Sequence, residues 1–513
     1  MESEARGTGG MRAHVPWVLS LVAFPYVFYF PIFGRDTIGP EFPFFFRYSS
    51  GMNLRRLLQS YGEFHALWYR PTSFFLPYVV GQMFFSWHDR VPWKAMQVGT
   101  ISLMALSLYA LGLVLVPGDR MGAAAGALFA AVHPSLFWLT LEVAPFDFLY
   151  VIFAAATTAC FLRATASPGR VGRAGAALSG FAFLGAITSK ELSVAIPGFL
   201  LLATIFVTTS EEGPPPFFRR WLPRAALLVP GFALVAIFAR LRLGTVRKEF
   251  AANAIYRIRP DGKAMLSNAV HLPLWIARIF PAGGPDPAHA TRLNMVVGCV
   301  VLLATAAAWA ALPALRGRRF ALSLLLAWIG VFLAIPIYSG GSLWHVILPM
   351  SGYGLLVGFA FSAATARLRP GRRAGVVVLA LASLVALGEV GLHAEMDRGS
   401  HALSYRLINR NLLEHPPVPN DLLGRSPLIY VEDRLGVGPW WYGCYRFLFD
   451  YVYERRDIEQ EVVPSIDGVP EALRARWSEQ PNAFFFRYDA AFRWYDDSAR
   501  FREIVSLSRG TKP

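Results

Sequence analysis

The residues best placed to do chemistry are carboxylates that recur at the ends of apolar runs. Asp36 follows Gly34 and Arg35 directly after the first run, Glu142 and Asp147 flank a short turn, and Glu191 stands beside Lys190 in another. A carboxylate at a membrane edge is partly desolvated, which raises its pKa towards that of a useful general base. Asp36 is the first candidate for that role, and the plain alternative is an ion pair with Arg35. Each of the other acids has a plain reading as a solvated loop group. What favours chemistry is placement, because the middles of the apolar runs are nearly free of ionisable residues, which are costly in a bilayer.

A second group is cationic. Residues 242–292 carry Arg242, Arg247, Lys248, Arg257, Arg259, Lys263 and Arg278. Arginine suits bidentate contact with phosphate. Attraction to anionic headgroups is the competing explanation.

The elements that must position these groups follow from composition. With 55% hydrophobic and 16% charged residues among 513, and a mean hydropathy of +0.41, the chain is too apolar for an ordinary soluble domain. The formal charge of +15 does not point to nucleic acid, since most of the arginine lies in short loops between apolar runs. Cys160 and Cys299 lie in apolar runs and Cys444 stands alone in a polar region, so no disulfide or metal-ligand spacing exists. The run from Val15 to Phe33 follows Arg6 and Arg12 without a small-residue cleavage site, and reads as an uncleaved first span.

Runs of about 17–25 apolar residues predict about eleven spans: 15–33, 95–116, 121–140, 147–163, 174–188, 192–208, 225–241, 293–313, 320–337, 346–365 and 374–391. The run 72–87 contains Pro77, Gly81 and Gln82 and reads as a helix along the surface. Counting it as a span would invert every later loop and put the arginine clusters outside, against the positive-inside rule. Eleven spans leave outer loops at 34–94 and 242–292, with Leu272–Phe280 after His271 as an interfacial helix. The expected fold is an all-α polytopic membrane protein with juxtamembrane helices in the first outer loop. A transmembrane domain, 1–392, precedes a small extracytoplasmic α+β domain, 393–513. In that domain Leu403–Leu413 is amphipathic, and Pro427–Glu432 and Ala483–Tyr488 read as strands between Pro/Gly clusters.

Several short motifs occur in a telling order. They are Trp68-Tyr69-Arg70-Pro71-Thr72-Ser73, Ala131-Val132-His133-Pro134, Ser189-Lys190-Glu191 followed by Ala195-Ile196-Pro197, and Leu348-Pro349 with Gly352-Tyr353-Gly354. Over roughly residues 15–370 the layout resembles the C-type-fold membrane glycosyltransferases, and within them bacterial relatives of the O-mannosyltransferase and aminoarabinose-transferase groups. Two departures are that Asp36 is followed by Thr37, where the protein O-mannosyltransferases have an Asp-Glu pair, and that Trp344-His345 precedes the Leu-Pro motif.

The resemblance implies a polyprenyl-phosphate sugar as donor, a glycan, lipid or protein hydroxyl as acceptor, and an inner-membrane location. It maps the essential acid of the first outer loop onto Asp36. Arg257, Arg259, Lys263 and Lys190 are then the expected donor-phosphate ligands, and Glu142, Asp147, Glu191 and His345 the acceptor or metal region. No cofactor is demanded by the spacing; Asp36 and Asp147 are the candidate ligands if a divalent metal takes part. The readings from other classes are a lipid-linked glycan transporter and an envelope-assembly scaffold. Transporters generally place their polar groups near the bilayer midplane on interrupted helices, whereas here charge collects at one surface.

Overall fold

In hydrocarbon only a helix or a closed barrel satisfies every backbone N–H and C=O, so a chain with this many apolar runs is committed to helices. The computed structural model describes residues 12–34, 46–47, 50, 53–62, 70–83, 87–142, 146–166, 169–209, 216–252, 262–277, 292–339, 345–398, 410–432, 447–489 and 493–510. The principal helices are α1 (Val15–Phe28), α2 (Pro71–Met83), α3 (Arg90–Leu115), α4 (Arg120–Ala131), α5 (Phe137–Glu142), α6 (Phe146–Ala166), α7 (Gly169–Ile187) and α8 (Ile196–Thr209). They continue with α9 (Phe217–Ala226), α10 (Val229–Ala252), α11 (Gly262–Ala277), α12 (Arg292–Ala311), α13 (Arg319–Ser339), α14 (Ile347–Thr365) and α15 (Pro370–Arg398).

Six stretches among the described residues are long and apolar enough to cross a membrane: Arg90–Leu115, Asp147–Ala166, Glu191–Thr209, Arg319–Tyr338, Ile347–Thr365 and Pro370–His393. A seventh exists if Phe217–Ala226 and Val229–Arg242, which meet at 47°, count as one bent span. Val15–Phe28, Met265–Ala277 and Gly298–Ala311 are apolar but shorter. The expected count of eleven is thus not reached among the described residues, and the sequence shows some of the reasons. The run 121–140 is cut where His133 adopts an extended conformation before Pro134, as residues preceding proline do. The run 174–188 lies within α7, whose first turns carry Arg170 and Arg173. With 13 residues, α2 is about 20 Å long, short of the roughly 30 Å hydrocarbon core.

Packing at the centre depends on small residues. Helix α14 has 83% of its span buried, against 17% for Pro370–His393, so α14 is the central helix and α15 a peripheral one. Gly122, Gly126 and Ala130 of α4 face Gly354 and Gly358 of α14; a Cβ on Gly126 would lie 2.7 Å from the Gly354 oxygen and from Leu355 Cα. This close approach gives helices dispersion contact that lipid cannot supply. At one end of the pair Asp119 accepts hydrogen bonds from Gly122 N (2.8 Å) and Ser362 Oγ (2.7 Å) with one carboxylate oxygen, and from Arg318 Nη1 (2.6 Å) with the other.

The C-terminal unit carries a four-stranded sheet ordered β2-β1-β3-β4, with β1 (Leu428–Glu432), β2 (Glu459–Val463), β3 (Ala483–Tyr488) and β4 (Trp494–Asp496). Strand β1 pairs parallel with both β2 and β3, and β3 pairs antiparallel with β4. Strands alternate their side chains between two faces, and both faces here are buried. Leu428, Tyr430 and Phe485 pack under Trp477, Phe501 and Val505 of α17 (Glu471–Glu479) and α18 (Ser498–Gly510), once α16 (Leu448–Val452) is counted before them. Ile429, Val431, Phe486 and Tyr488 pack instead with α16 and with three residues of the membrane unit: Phe46, Trp87 and Trp93.

The two units therefore share a core. Trp87 stacks on Trp93 at 4.5 Å between ring centroids and donates its backbone N–H to Glu454 (2.8 Å). His88 Nε2 donates to the Tyr451 carbonyl (2.9 Å), and Arg47 pairs with Asp450 at 3.2 Å. Burial of Asp450 outweighs the Arg47 charge and the Ile458 amide, and its carboxyl is pushed up to about 6. The folded protein then holds that proton more tightly than the unfolded chain. Stability from this group is full below the ordinary carboxylate range and falls as pH rises through about 6, by about 3 kcal/mol in all. Asp450→Asn is expected to remove this slope. Unfolding free energies of both proteins across that pH window measure it, and an unchanged slope in the variant assigns the titration to another group.

Candidate functional site

Thr188 and Ser189 close α7, and Lys190 and Glu191 open the short 3-10 turn that leads into α8. The start of α2 is fastened to this turn. Thr72 N donates to the Thr188 carbonyl (3.3 Å), the Thr72 and Thr188 hydroxyls are 2.6 Å apart, and Ser73 Oγ donates to the Ser189 carbonyl (3.2 Å). That clamp brings Arg70, immediately before α2, to Glu191: Nη2 lies 3.3 Å from Oε2. The other carboxylate oxygen of Glu191 faces Arg242 Nη2 at 3.7 Å. Lys190 turns the other way and pairs with Asp147, the first residue of the span in α6, with its ammonium also 6.0 Å from the Tyr150 ring centroid.

Three members of the cluster are withdrawn from water, while Glu191 stays partly exposed. The side chains of Lys190, Asp147 and Arg242 are 3%, 1% and 4% exposed, so these charges depend on one another rather than on solvent. Among the described residues, three cations face two carboxylates in this group. Asp147 Oδ2 is buried and has no hydrogen-bond partner among the described residues. His345, just before α14, is half-buried nearby. Burial first, then the Lys190 and Arg70 charges, holds its imidazole well below the usual histidine range, so it is neutral at pH 7.

Of the residues expected from sequence, the structure brings Asp147, Lys190, Glu191 and His345 into one neighbourhood. Lys190, expected on a donor phosphate, is engaged with Asp147. Lys263 is exposed on the first turn of α11. Glu142 ends α5, and its side chain is outside what the structure describes; Asp36, Arg257 and Arg259 also lie outside the described residues. Among the described residues no group of three His, Cys, Asp or Glu side chains could hold a metal ion.

Three further residues belong to this end of the bundle. Arg70 had its signal in the Trp-Tyr-Arg-Pro motif, but its partner across 121 positions is visible only in the fold. Arg242 reads as a loop cation, yet α10 continues past it to Ala252 and holds it at the cluster. Lys94 is buried on α3 and donates to the Ile32 carbonyl (2.6 Å), near the close of the first helical segment and four residues before Asp36.

Neither a family model nor a curated protein matches this chain. Solved structures do. The archaeal oligosaccharyltransferase AglB from Archaeoglobus fulgidus, in complex with an inhibitory peptide and a dolichol-phosphate, is similar at a TM-score of 0.54 and 13% identity, over 92% of this chain and 69% of that one. ArnT from Cupriavidus metallidurans in the apo state is similar at 0.51 and 16% identity, over 94% of both chains. ArnT bound to undecaprenyl phosphate matches at 0.50 and 15%. The chain shares the fold of these structures.

A buried pair broken on one side leaves an uncompensated charge, at a cost of about 3–5 kcal/mol. Lys190→Met is expected to destabilise the protein by that amount, and adding Asp147→Asn to recover much of it. A double-mutant cycle on unfolding in detergent checks this; additive losses would show that the two groups do not depend on each other.

Proposed function

We propose that this protein transfers a sugar from a polyprenyl-phosphate donor to an acceptor hydroxyl at the extracytoplasmic face of the inner membrane. The observation that supports the reading is the charged cluster at the span ends, where Arg70, Lys190 and Arg242 gather around Glu191 and Asp147 among the described residues. A lipid phosphate would lie at that depth with its chain in the bilayer. The fold supports the reading, since AglB and ArnT share it and are described with dolichol-phosphate and undecaprenyl phosphate.

In this reaction the acceptor oxygen attacks the anomeric carbon from the face opposite the phosphate and forms the new glycosidic bond with inversion. The bond from that carbon to the phosphate oxygen breaks, and its electron pair leaves with polyprenyl phosphate. Asp36 takes the acceptor proton. The leaving phosphate is already a stable anion, so no general acid is needed, and guanidinium groups at its oxygens stabilise the charge that develops. Arg70 and Arg242 join Arg257, Arg259 and Lys263 as the phosphate ligands, with Lys190 fixed by Asp147 at their base. Glu142, Glu191 and neutral His345 shape the acceptor side. If a divalent metal takes part, Asp36 and Asp147 are its ligands. The C-terminal unit lies on the same face and closes over the first outer loop.

Release of polyprenyl phosphate from a panel of labelled lipid-linked sugars tests the proposal. Asp36→Asn is expected to lower turnover by roughly 100-fold or more while donor binding persists. Near-normal turnover in that variant would move the base elsewhere, and donor translocation without cleavage would make the protein a transporter.

A further inference from the structure

The turn that closes α16 holds its backbone in an uncommon state. Arg455 N donates to the Asp450 carbonyl (2.8 Å) and Glu454 N to the Tyr451 carbonyl (3.2 Å), the two nested bonds of a Schellman motif. That motif needs a left-handed residue just past the helix end, and glycine is the usual choice because it has no Cβ to clash. Here the residue is Glu454, with a φ of 48°. Among the described residues Ser426 is the one other non-glycine with a positive φ. Glu454 is exposed, so packing of its side chain in a core does not explain why glutamate stands where glycine would be less strained.

Two observations account for it. The turn is braced: Arg455 donates from Nη2 to the Gly424 carbonyl (2.8 Å) and from Nε to Asp457 (2.9 Å), and Asp457 accepts from Ser426 N (2.9 Å). A strained residue persists where its surroundings over-determine it, and such residues gather where the strained geometry is used. The second observation is what the side chain reaches. Glu454 Oε1 accepts the backbone N–H of Trp87, across 367 positions of sequence. Trp87 is a junction of the membrane unit. Its ring stacks on Trp93 of α3, meets Phe46 edge to face at 5.3 Å, and rests on α2, where a Cβ on Gly81 would come within 3.0 Å of it. Beside Trp93 is Lys94, whose ammonium holds the Ile32 carbonyl near the close of the first helical segment. Helix α2 begins at the clamp on Thr188 and Ser189.

We propose that Glu454 is a positioning residue: from its braced turn it fixes Trp87, and through Trp87 it sets the first turn of α3, the end of α2 and the exit of the first helix that leads towards Asp36. The carboxylate touches no reacting atom. Its consequence for transfer rests on the function proposed above, whereas the mechanical link does not. Glycine at this position would relieve the turn and remove the acceptor. Glutamine keeps both the strain and an oxygen that accepts the Trp87 N–H.

The test compares Glu454→Gly and Glu454→Gln with the wild type in the full chain in nanodiscs, by melting, amide hydrogen exchange and release of polyprenyl phosphate. Glu454→Gly is expected to melt close to the wild type, because relief of strain offsets the lost bond, and this establishes that it folds. Its amides over Trp87–Lys94 and Tyr29–Gly34 should exchange about tenfold faster, the worth of one hydrogen bond. Its turnover should fall about tenfold or more, the effect of misplaced reacting groups. Glu454→Gln should keep wild-type exchange and turnover. A residue that merely closes a turn predicts the reverse, since glycine suits that turn better: a Gly variant with wild-type exchange and turnover overturns the proposal. So does acceleration confined to the Trp87 amide, or a Gln variant that behaves like the Gly variant. The exchange arm needs no turnover, so it decides the positioning even where the transfer reading itself fails.

Discussion

A charge removed from water must find an opposite charge, and in this protein that requirement falls on the ends of the spans. Asp147, Lys190, Glu191 and Arg242 belong to segments that meet only in the fold, and each is held by another member of the set. Their pairing fixes where α6 and α8 begin and how far α10 extends. The same rule operates at the other end of the bundle, where Asp119 takes Arg318, Ser362 and the first turn of α4 on one carboxylate. Between the two ends, glycines bring α4 and α14 close. The difference lies in balance. The Asp119 group is saturated by hydrogen bonds and reads as a fastening, whereas the cluster at Glu191 keeps a buried carboxylate oxygen of Asp147 without a hydrogen-bond partner among the described residues.

The segment between the first helix and α3 is where these constraints meet the C-terminal unit. On one side Tyr29 donates to the Ala131 carbonyl (3.0 Å) and Lys94 to the Ile32 carbonyl, which fixes the exit of the first helix. On the other side Phe46 lies between Trp87 and Tyr451, and Arg47 faces Asp450. Residues 35–45, which include Asp36, connect these two anchors. Phe46, Trp87 and Trp93 complete one face of the sheet of the C-terminal unit, so the position of the loop and the folding of that unit are one problem.

Much of this was legible in the sequence, and the parts that were not share a physical reason. The acidic residues at span ends and the Ser-Lys-Glu turn could be read directly, because charge beside an apolar run is a local signal. Strands β1 and β3 were legible as β-branched and aromatic runs between turns. Strand β2, which begins Glu-Gln-Glu, and the three-residue β4 were not, since a polar or very short strand is defined by the neighbour it pairs with. The partnership of Glu191 with Arg70 and Arg242 joins three distant segments, and no local pattern encodes it. The break at His133-Pro134 was visible as a proline signal, but apolar run length alone treated 121–140 as one span.

The central claim is that the guanidinium groups of Arg70 and Arg242 receive a lipid phosphate. Equilibrium binding of polyprenyl phosphate, without a sugar, to the wild type and to Arg→Lys and Arg→Ala variants at both positions tests it most directly. A charge-assisted hydrogen bond contributes about 1.5–3 kcal/mol, so each Ala variant is expected to bind roughly 10- to 100-fold more weakly. Each Lys variant should fall between Ala and the wild type, because the charge remains and the planar fork is lost. Unchanged affinity in all four variants would contradict the account, since the charged cluster would then have no part in holding the donor.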